Sequence, residues 1–307
     1  MKRFSFAARW RQPLAALLLM VGAGLAAAQS DAAPMQLTGT LAKARETGAL
    51  TIGHRESSIP FSYRSARGEP IGYSIDLCKL LVEAISEHVG RTVEVKWKAV
   101  TSESRIPEVV SGQVDLECGS TTNNLERQKQ VAFSPTMFVS GTKLMVKKGS
   151  PVKTFRELAG KKVVVTAGTT NEKTMRELAA KFKVDMTIVV AADHAASFAQ
   201  LAAGTVDAFA TDDVLLYGLL AQNKAQAEYV VTGDFLSYDP YGVMFRKGDA
   251  QLTKLVNDTF HALAGDREIE RRYTRWFLRK LPSGVSLDLP MSAQLETIIQ
   301  TMVSRTE

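Results

Sequence analysis

Ser111-Gly112-Gln113-Val114-Asp115-Leu116-Glu117-Cys118-Gly119-Ser120-Thr121-Thr122-Asn123-Asn124-Leu125-Glu126-Arg127 decides how this chain is read. The first five residues follow a helical segment and open a strand. Gly112 suits the left-handed position that closes a helix. The rest reads as a strand end, a small-residue loop and a helix start. Hydroxyls, free backbone N–H groups and a guanidinium crowd into Ser120 to Arg127, which is the equipment for holding a small carboxylate. Helix N-termini favour anions because their first N–H groups lack partners and the dipole end is positive. Asn123 with Glu126 has N-cap spacing, Ser120 and Thr122 add hydroxyls, and Arg127 offers a bidentate fork. Taken alone, the loop reads at least as well as a simple helix cap beside a solvated arginine.

Two echoes change that balance. Ala203-Gly204-Thr205-Val206-Asp207 repeats the opening and leads to Thr211-Asp212-Asp213. Gly168-Thr169-Thr170-Asn171-Glu172 repeats the loop chemistry, and Thr169 with Glu172 has capping-box spacing after a Val-rich strand. Each half thus carries a helix–Gly–strand–loop unit, which suggests a ligand held between two similar lobes.

The pattern outward from these units is α/β. Ala49 to Gly53 is a short apolar strand, and Val93, Val95, Trp97 and Ala99 alternate with polar residues as a strand does. Between them Ile75, Cys78, Leu81, Ile85 and Val89 recur at helical spacing, and Gly90 ends the run. Val163–Thr166, Thr187–Ala191 and Asp207–Thr211 are further strands, and the tail around Leu252–Phe260 and Ile269–Phe277 is helical. Strands alternating with helices predict largely parallel sheets. Pro135–Lys147 and Thr232–Arg246 carry few helical signals and contain Pro135, Gly141, Gly233, Pro240 and Gly242. They read as two crossovers between lobes. The expected division is residues 40–138 plus 240–285 for lobe one, 142–236 for lobe two, and 286–307 as a tail on lobe one.

The 307 residues, 45% hydrophobic and 23% charged, suffice for two domains of ordinary size. Residues 1–28 read as a cleavable signal peptide. Lys2, Arg3, Arg9 and Arg11 precede an apolar run from Leu14 to Ala28, and small residues allow cleavage as late as 33. Removing those four basic residues from 38 leaves 34 Lys and Arg against 32 Asp and Glu, a weak basis for nucleic-acid binding. Cys78 and Cys118 are either a disulfide or two buried thiols; export to an oxidising compartment favours the bond. Neither lies at the signal junction, so no lipid anchor is expected.

The remaining candidates lie after strands, on the side where α/β sheets bind ligands. They are Arg55, Ser102, Arg105 and His194, with Asp212 suited to an ammonium group. Each alone is commonly a surface, turn or capping residue. The four histidines, at 54, 88, 194 and 261, form no metal cluster, and no GxSxG or HExxH motif occurs. No catalytic residue, metal or cofactor is expected.

At these residues the chain resembles the periplasmic amino-acid-binding proteins of ABC importers, in the glutamate/aspartate-binding branch. The stretches are GHRESSIPFSY (53–63), TSESRIP (101–107), ECGSTTNNLERQKQVAFSPT (117–136), VVVTAGTTNE (163–172), DH (193–194), TDD (211–213) and RWFLRKLP (275–282). The resemblance covers roughly residues 45–298. It implies a type II periplasmic-binding-protein fold: two lobes, each a mixed, largely parallel sheet flanked by helices, joined by two crossover strands and closing on the ligand. It implies that Arg127 grips the α-carboxylate with help from Thr169 and Thr170. Ser120, Thr122 and Asp212 would receive the α-ammonium, and Arg55, Ser102, Arg105 and His194 the distal carboxylate. A periplasmic monomer that delivers glutamate or aspartate to permease subunits follows. Three arginines against Asp212 give a site charge near +2, which favours the acids over their amides because an unpaired buried guanidinium is costly. The alternatives are an enzyme on the same scaffold, a dehydratase or lyase using His194 and Asp212 as acid and base, or a sensory ligand-binding module.

Overall fold

Gly112 and Gly204 adopt φ of 76° and 70°, the left-handed turn that redirects the chain from helix into strand. The aspartate three residues on then docks that strand onto its neighbour. Asp115 accepts from the backbone N–H of Thr51 at 2.8 Å through its carboxylate and returns its own N–H to the Thr51 carbonyl at 2.8 Å. Asp207 repeats both bonds with Lys162, each at 2.8 Å. The sequence echo is therefore a device for registering parallel strands, used once in each half.

The computed structural model describes residues 36–304, so the expected signal peptide lies outside the described residues. Two five-stranded sheets share one plan. The first runs Glu94–Ala99, Ala49–His54, Leu116–Glu117, Met244–Arg246, Val131–Phe133 in spatial order. Its first three strands are parallel, and Met244–Arg246 is antiparallel to both of its neighbours. The second runs Thr187–Ala191, Lys162–Thr166, Ala208–Asp212, Thr142–Lys147, Tyr229–Thr232, again three parallel strands followed by antiparallel ones. Phe138–Ser140 and Asp239–Tyr241 pair antiparallel between the sheets as the two crossover strands. This is a two-lobed α/β fold, as expected.

Helix Tyr73–Val89 buries Ile75, Cys78, Leu81, Ile85 and Val89, and Gly90 caps it at φ 69°. Cys78 on this helix is bonded to Cys118 at the end of the central strand, with Cα atoms 6.3 Å apart. An aromatic cluster fixes the crossovers to the first lobe. Phe138 and Tyr241 from the crossovers pack against Phe61, and Phe138 stacks on Phe277 at 4.9 Å. The tail helix Ala293–Val303 packs against Ala250–Gly265. Trp276 and Phe277 lie in a single π-helical turn, Thr274–Leu278, that continues Glu268–Tyr273. Among the described residues no helix is long and apolar enough to cross a membrane.

One expectation fails here. No α-helix follows the 118–126 loop; a single 3₁₀ turn, Arg127–Lys129, leads directly into strand Val131–Phe133. The backbone explains why. Asn123 N–H bonds the Pro240 carbonyl at 2.7 Å, and Thr122 bridges to Tyr241. The loop is stitched to the second crossover and cannot wind into a helix.

Candidate functional site

Strand ends build the site. In each lobe the parallel strands finish facing the other lobe, and the candidate residues sit at those ends. Arg55 follows Ala49–His54, Ser102 and Arg105 follow Glu94–Ala99, and Ser120 follows Leu116–Glu117. Thr169 follows Lys162–Thr166, His194 follows Thr187–Ala191, and Asp212 ends Ala208–Asp212. Counting five residues on from Asp115 and from Asp207 lands on Ser120 and Asp212, so the repeat sets one polar residue in each lobe at the same offset from its docking aspartate.

Three guanidinium groups are buried: Arg55 at 1% exposure, Arg105 at 2% and Arg127 at 8%. Burial is the main force lowering their pKa, and Arg105 adds repulsion for the other two. Arg55 is pushed down to about 10 and Arg127 to about 9, which leaves both protonated at neutral pH. Arg105 moves in the same direction, chiefly by burial. Buried charge needs partners, and here they are incomplete. Arg55 Nη1, Arg105 Nε, Ser102 Oγ and Ser120 Oγ are buried without a protein hydrogen-bond partner.

Arg127 donates to the Thr122 carbonyl at 3.0 Å and reaches across to the Gly168 carbonyl at 3.4 Å. Thr122 Oγ1 lies 3.2 Å from Thr170 Oγ1. A Cβ on Gly168 would stand 2.9 Å from the Glu103 backbone nitrogen. The lobes therefore meet over the site, and Gly168, at φ 69°, is what lets them approach.

The lobe-two loop is a true helix N-terminus. Thr169 accepts from the Glu172 N–H at 3.1 Å and donates its own proton to the Thr166 carbonyl at 2.7 Å. Glu172 closes back onto Gly168 N–H, not onto the cap residue itself. Thr169 thus contributes position and the N-terminal field of helix Thr170–Phe182. In the lobe-one loop the expected Asn123–Glu126 cap is not formed. Asn124 Oδ1 accepts from Arg127 N–H at 2.9 Å, and Glu126 pairs with Lys129.

His194 opens helix His194–Ala202, which Asp193 caps through Ala196 N–H at 2.8 Å. Its Nδ1 lies 2.9 Å from Thr166 Oγ1. Burial, then Arg55 and Arg105, hold the imidazole well below its ordinary pKa, so it is neutral. A Thr166 hydroxyl donating to Nδ1 leaves Nε2–H as a donor for an anion. Asp212 accepts from Asn171 Nδ2 at 2.8 Å and from the Tyr241 hydroxyl. Burial and then Asp239 raise its pKa well above the usual carboxylate value, so a nearby cation would be needed to keep it ionised.

Several residues escape the sequence reading. Glu117 is fully buried; its Oε2 accepts from Thr121 Oγ1 at 2.5 Å, which in turn accepts from Arg105 Nη1 at 2.6 Å. Its other oxygen has no protein partner and lies beside the Arg55 stem. Asp239, Asn171, Thr166 and Tyr241 complete the hydrogen bonding. The count of three arginines against Asp212 alone is therefore corrected. Glu117 and Asp239 also face the arginines, and the site lies closer to neutral than +2.

Comparisons with known proteins fit this geometry. Residues 50–279 match the model of the bacterial extracellular solute-binding proteins, family 3. The chain belongs to that family. It is 46% identical over 267 residues to the L-glutamate/L-aspartate-binding protein of Pseudomonas aeruginosa, covering 86% of this chain and 88% of the relative. It is 41% identical over 293 residues to the glutamate/aspartate import solute-binding protein of Escherichia coli, covering 94% and 96%. Among solved structures it is similar to an ancestral arginine-binding protein bound to glutamine, with TM-score 0.69 and 30% identity over 76% of this chain and 99% of that one. As a family member the chain is a solute-binding protein and not an enzyme.

Proposed function

We propose that this protein captures L-glutamate or L-aspartate between its lobes in the periplasm and delivers it to the permease subunits of an ABC importer. The observation that carries this reading is the convergence of three buried guanidinium groups from lobe one on the buried carboxylate of Asp212 from lobe two, with donors left unpaired even though Glu117 and Asp239 offset part of the charge. An acidic amino acid supplies two carboxylates and one ammonium, the complement of that set. Arg127 and the Thr169–Thr170 loop take the α-carboxylate. Ser120, Thr122 and Asp212 take the ammonium. Arg55, Ser102, Arg105 and His194 take the distal carboxylate. The names of the two bacterial relatives support the ligand class and the import role.

The lobes comprise residues 40–138 with 240–285 and residues 142–236, with the tail from 286 lying on the first lobe as far as residue 304, the last described. The protein acts as a monomer. Ligand contacts from both lobes stabilise the closed form, which the permease recognises. Thermal unfolding in the presence of each of the twenty amino acids tests the ligand class, since a ligand that binds only the native state stabilises it. Stabilisation by glutamate and aspartate alone is expected; stabilisation by glutamine or arginine would overturn the assignment of Arg55 and Arg105.

A further inference from the structure

Asp239 stands on the second crossover strand and is buried. One oxygen, Oδ1, accepts from Thr122 Oγ1 at 3.0 Å and from Thr170 Oγ1 at 2.8 Å. The other accepts from the Ser237 hydroxyl. Thr122 belongs to the lobe-one loop and Thr170 opens the lobe-two helix, so one carboxylate on the hinge holds a hydroxyl from each half-site.

A threonine hydroxyl has one proton and two lone pairs. With both protons directed at Asp239, each threonine oxygen is left to act as an acceptor. Two acceptors 3.2 Å apart suit an ammonium group and disfavour an anionic oxygen, so the α-carboxylate meets this loop through the N–H groups that open helix Thr170–Phe182 and not through the Thr170 hydroxyl. Without the carboxylate, either hydroxyl is free to turn and donate. We propose that Asp239 is a positioning residue that fixes the polarity of Thr122 and Thr170, so that the cleft selects ligands carrying an α-ammonium over dicarboxylates that lack one. This rests on the function proposed above and adds a determinant that does not itself touch the ligand. Because its two partners lie on different lobes, the selection is completed only when the lobes meet.

Isothermal titration calorimetry with L-glutamate and with glutarate, which keeps both carboxylates and lacks the amine, tests it. Asp239→Ala, which removes the acceptor shared by the two hydroxyls, should weaken glutamate binding by about tenfold or more while changing glutarate binding by less than about threefold. In a Thr122→Val background, Asp239→Ala should cost less glutamate affinity than it does in the wild type, because coupled residues are not additive. Circular dichroism checks folding, and Asp239→Ser replaces the alanine variant should that one not fold. Equal losses for both ligands, or full additivity with Thr122→Val, would overturn the inference. Wild-type protein that ignores glutamate would overturn the underlying function and this inference with it, whereas wild-type binding with an unchanged preference in the variants overturns this inference alone.

Discussion

The two half-site loops use nearly the same letters and different physics. Gly168-Thr169-Thr170-Asn171-Glu172 caps a 13-residue helix, so lobe two presents an oriented helix N-terminus. Gly119-Ser120-Thr121-Thr122-Asn123 caps nothing. Its backbone is tied to the crossover, and the positive charge comes instead from Arg127 at the start of a three-residue 3₁₀ turn. The lobe-one loop is also fastened to the helix behind it by the Cys78–Cys118 bond, whereas lobe two contains no cysteine. One lobe therefore presents full charge on a stapled loop. The other offers partial charges on a helix end. A full charge is harder to replace, and a field built from backbone survives loss of a side chain.

Breaking the charged side should do most damage. Arg127→Ala should remove glutamate binding at a cost on the order of 3–5 kcal/mol, since it strands a carboxylate, while the fold survives. Calorimetry giving near-normal affinity would refute the assignment. Removing the staple comes next. Replacing Cys78 and Cys118 by Ser should lower the stability of lobe one by about 2–4 kcal/mol in urea denaturation, because the bond spans 40 residues of chain. Protection of lobe-two amides against hydrogen exchange should change less, and an equal loss in both lobes would blur the contrast. On the helix side, Thr169→Ala deletes a cap and should cost about 1 kcal/mol of stability. Its glutamate affinity should fall far less than that of Arg127→Ala; comparable losses would show that lobe two contributes more than a helix end.

The smallest effect is a slope. Burial, with Arg55 and Arg105 nearby, keeps the His194 imidazole neutral in the folded protein. An unfolded histidine takes up a proton near pH 6.5. The stability contributed by the neutral form is therefore present above about pH 6.5 and is lost as pH falls toward the depressed folded value. Thermal unfolding between pH 8 and 5 should decline more steeply for the wild type than for His194→Gln, and parallel curves would place His194 outside this balance.

Much of the fold could be read from spacing. The apolar stripe Ile75–Val89 gave a helix, and the alternation at 93–99 gave a strand, because burial on one face imposes a period on the chain. The Gly-x-Val-Asp echo gave the two lobes, because registering a parallel strand needs the same turn and the same acceptor each time. Candidate site residues were legible where a charged residue follows an apolar strand, as with Arg55, Arg105 and Asp212. Glu117 was missed although it ends such a strand, because only the fold shows that it is buried beside the Arg55 stem and linked to Arg105 through Thr121. Asp239 was missed because a DPYG segment reads as a turn-prone crossover, and nothing local says that two distant hydroxyls meet there.

Sequence by itself determined the α/β class, the duplicated unit, the crossovers and the residue types available to a ligand, all of which rest on local periodicity and short-range turn chemistry. Only the tertiary structure decided how those residues share charge. The lobe-one loop gave up its helix to bond the crossover. Glu117 and Asp239 brought the site closer to neutral. The two threonine loops were brought to a common carboxylate. These outcomes depend on contacts between residues as far apart as Thr122 and Asp239, and the order of neighbours along a chain cannot encode which distant groups are desolvated together.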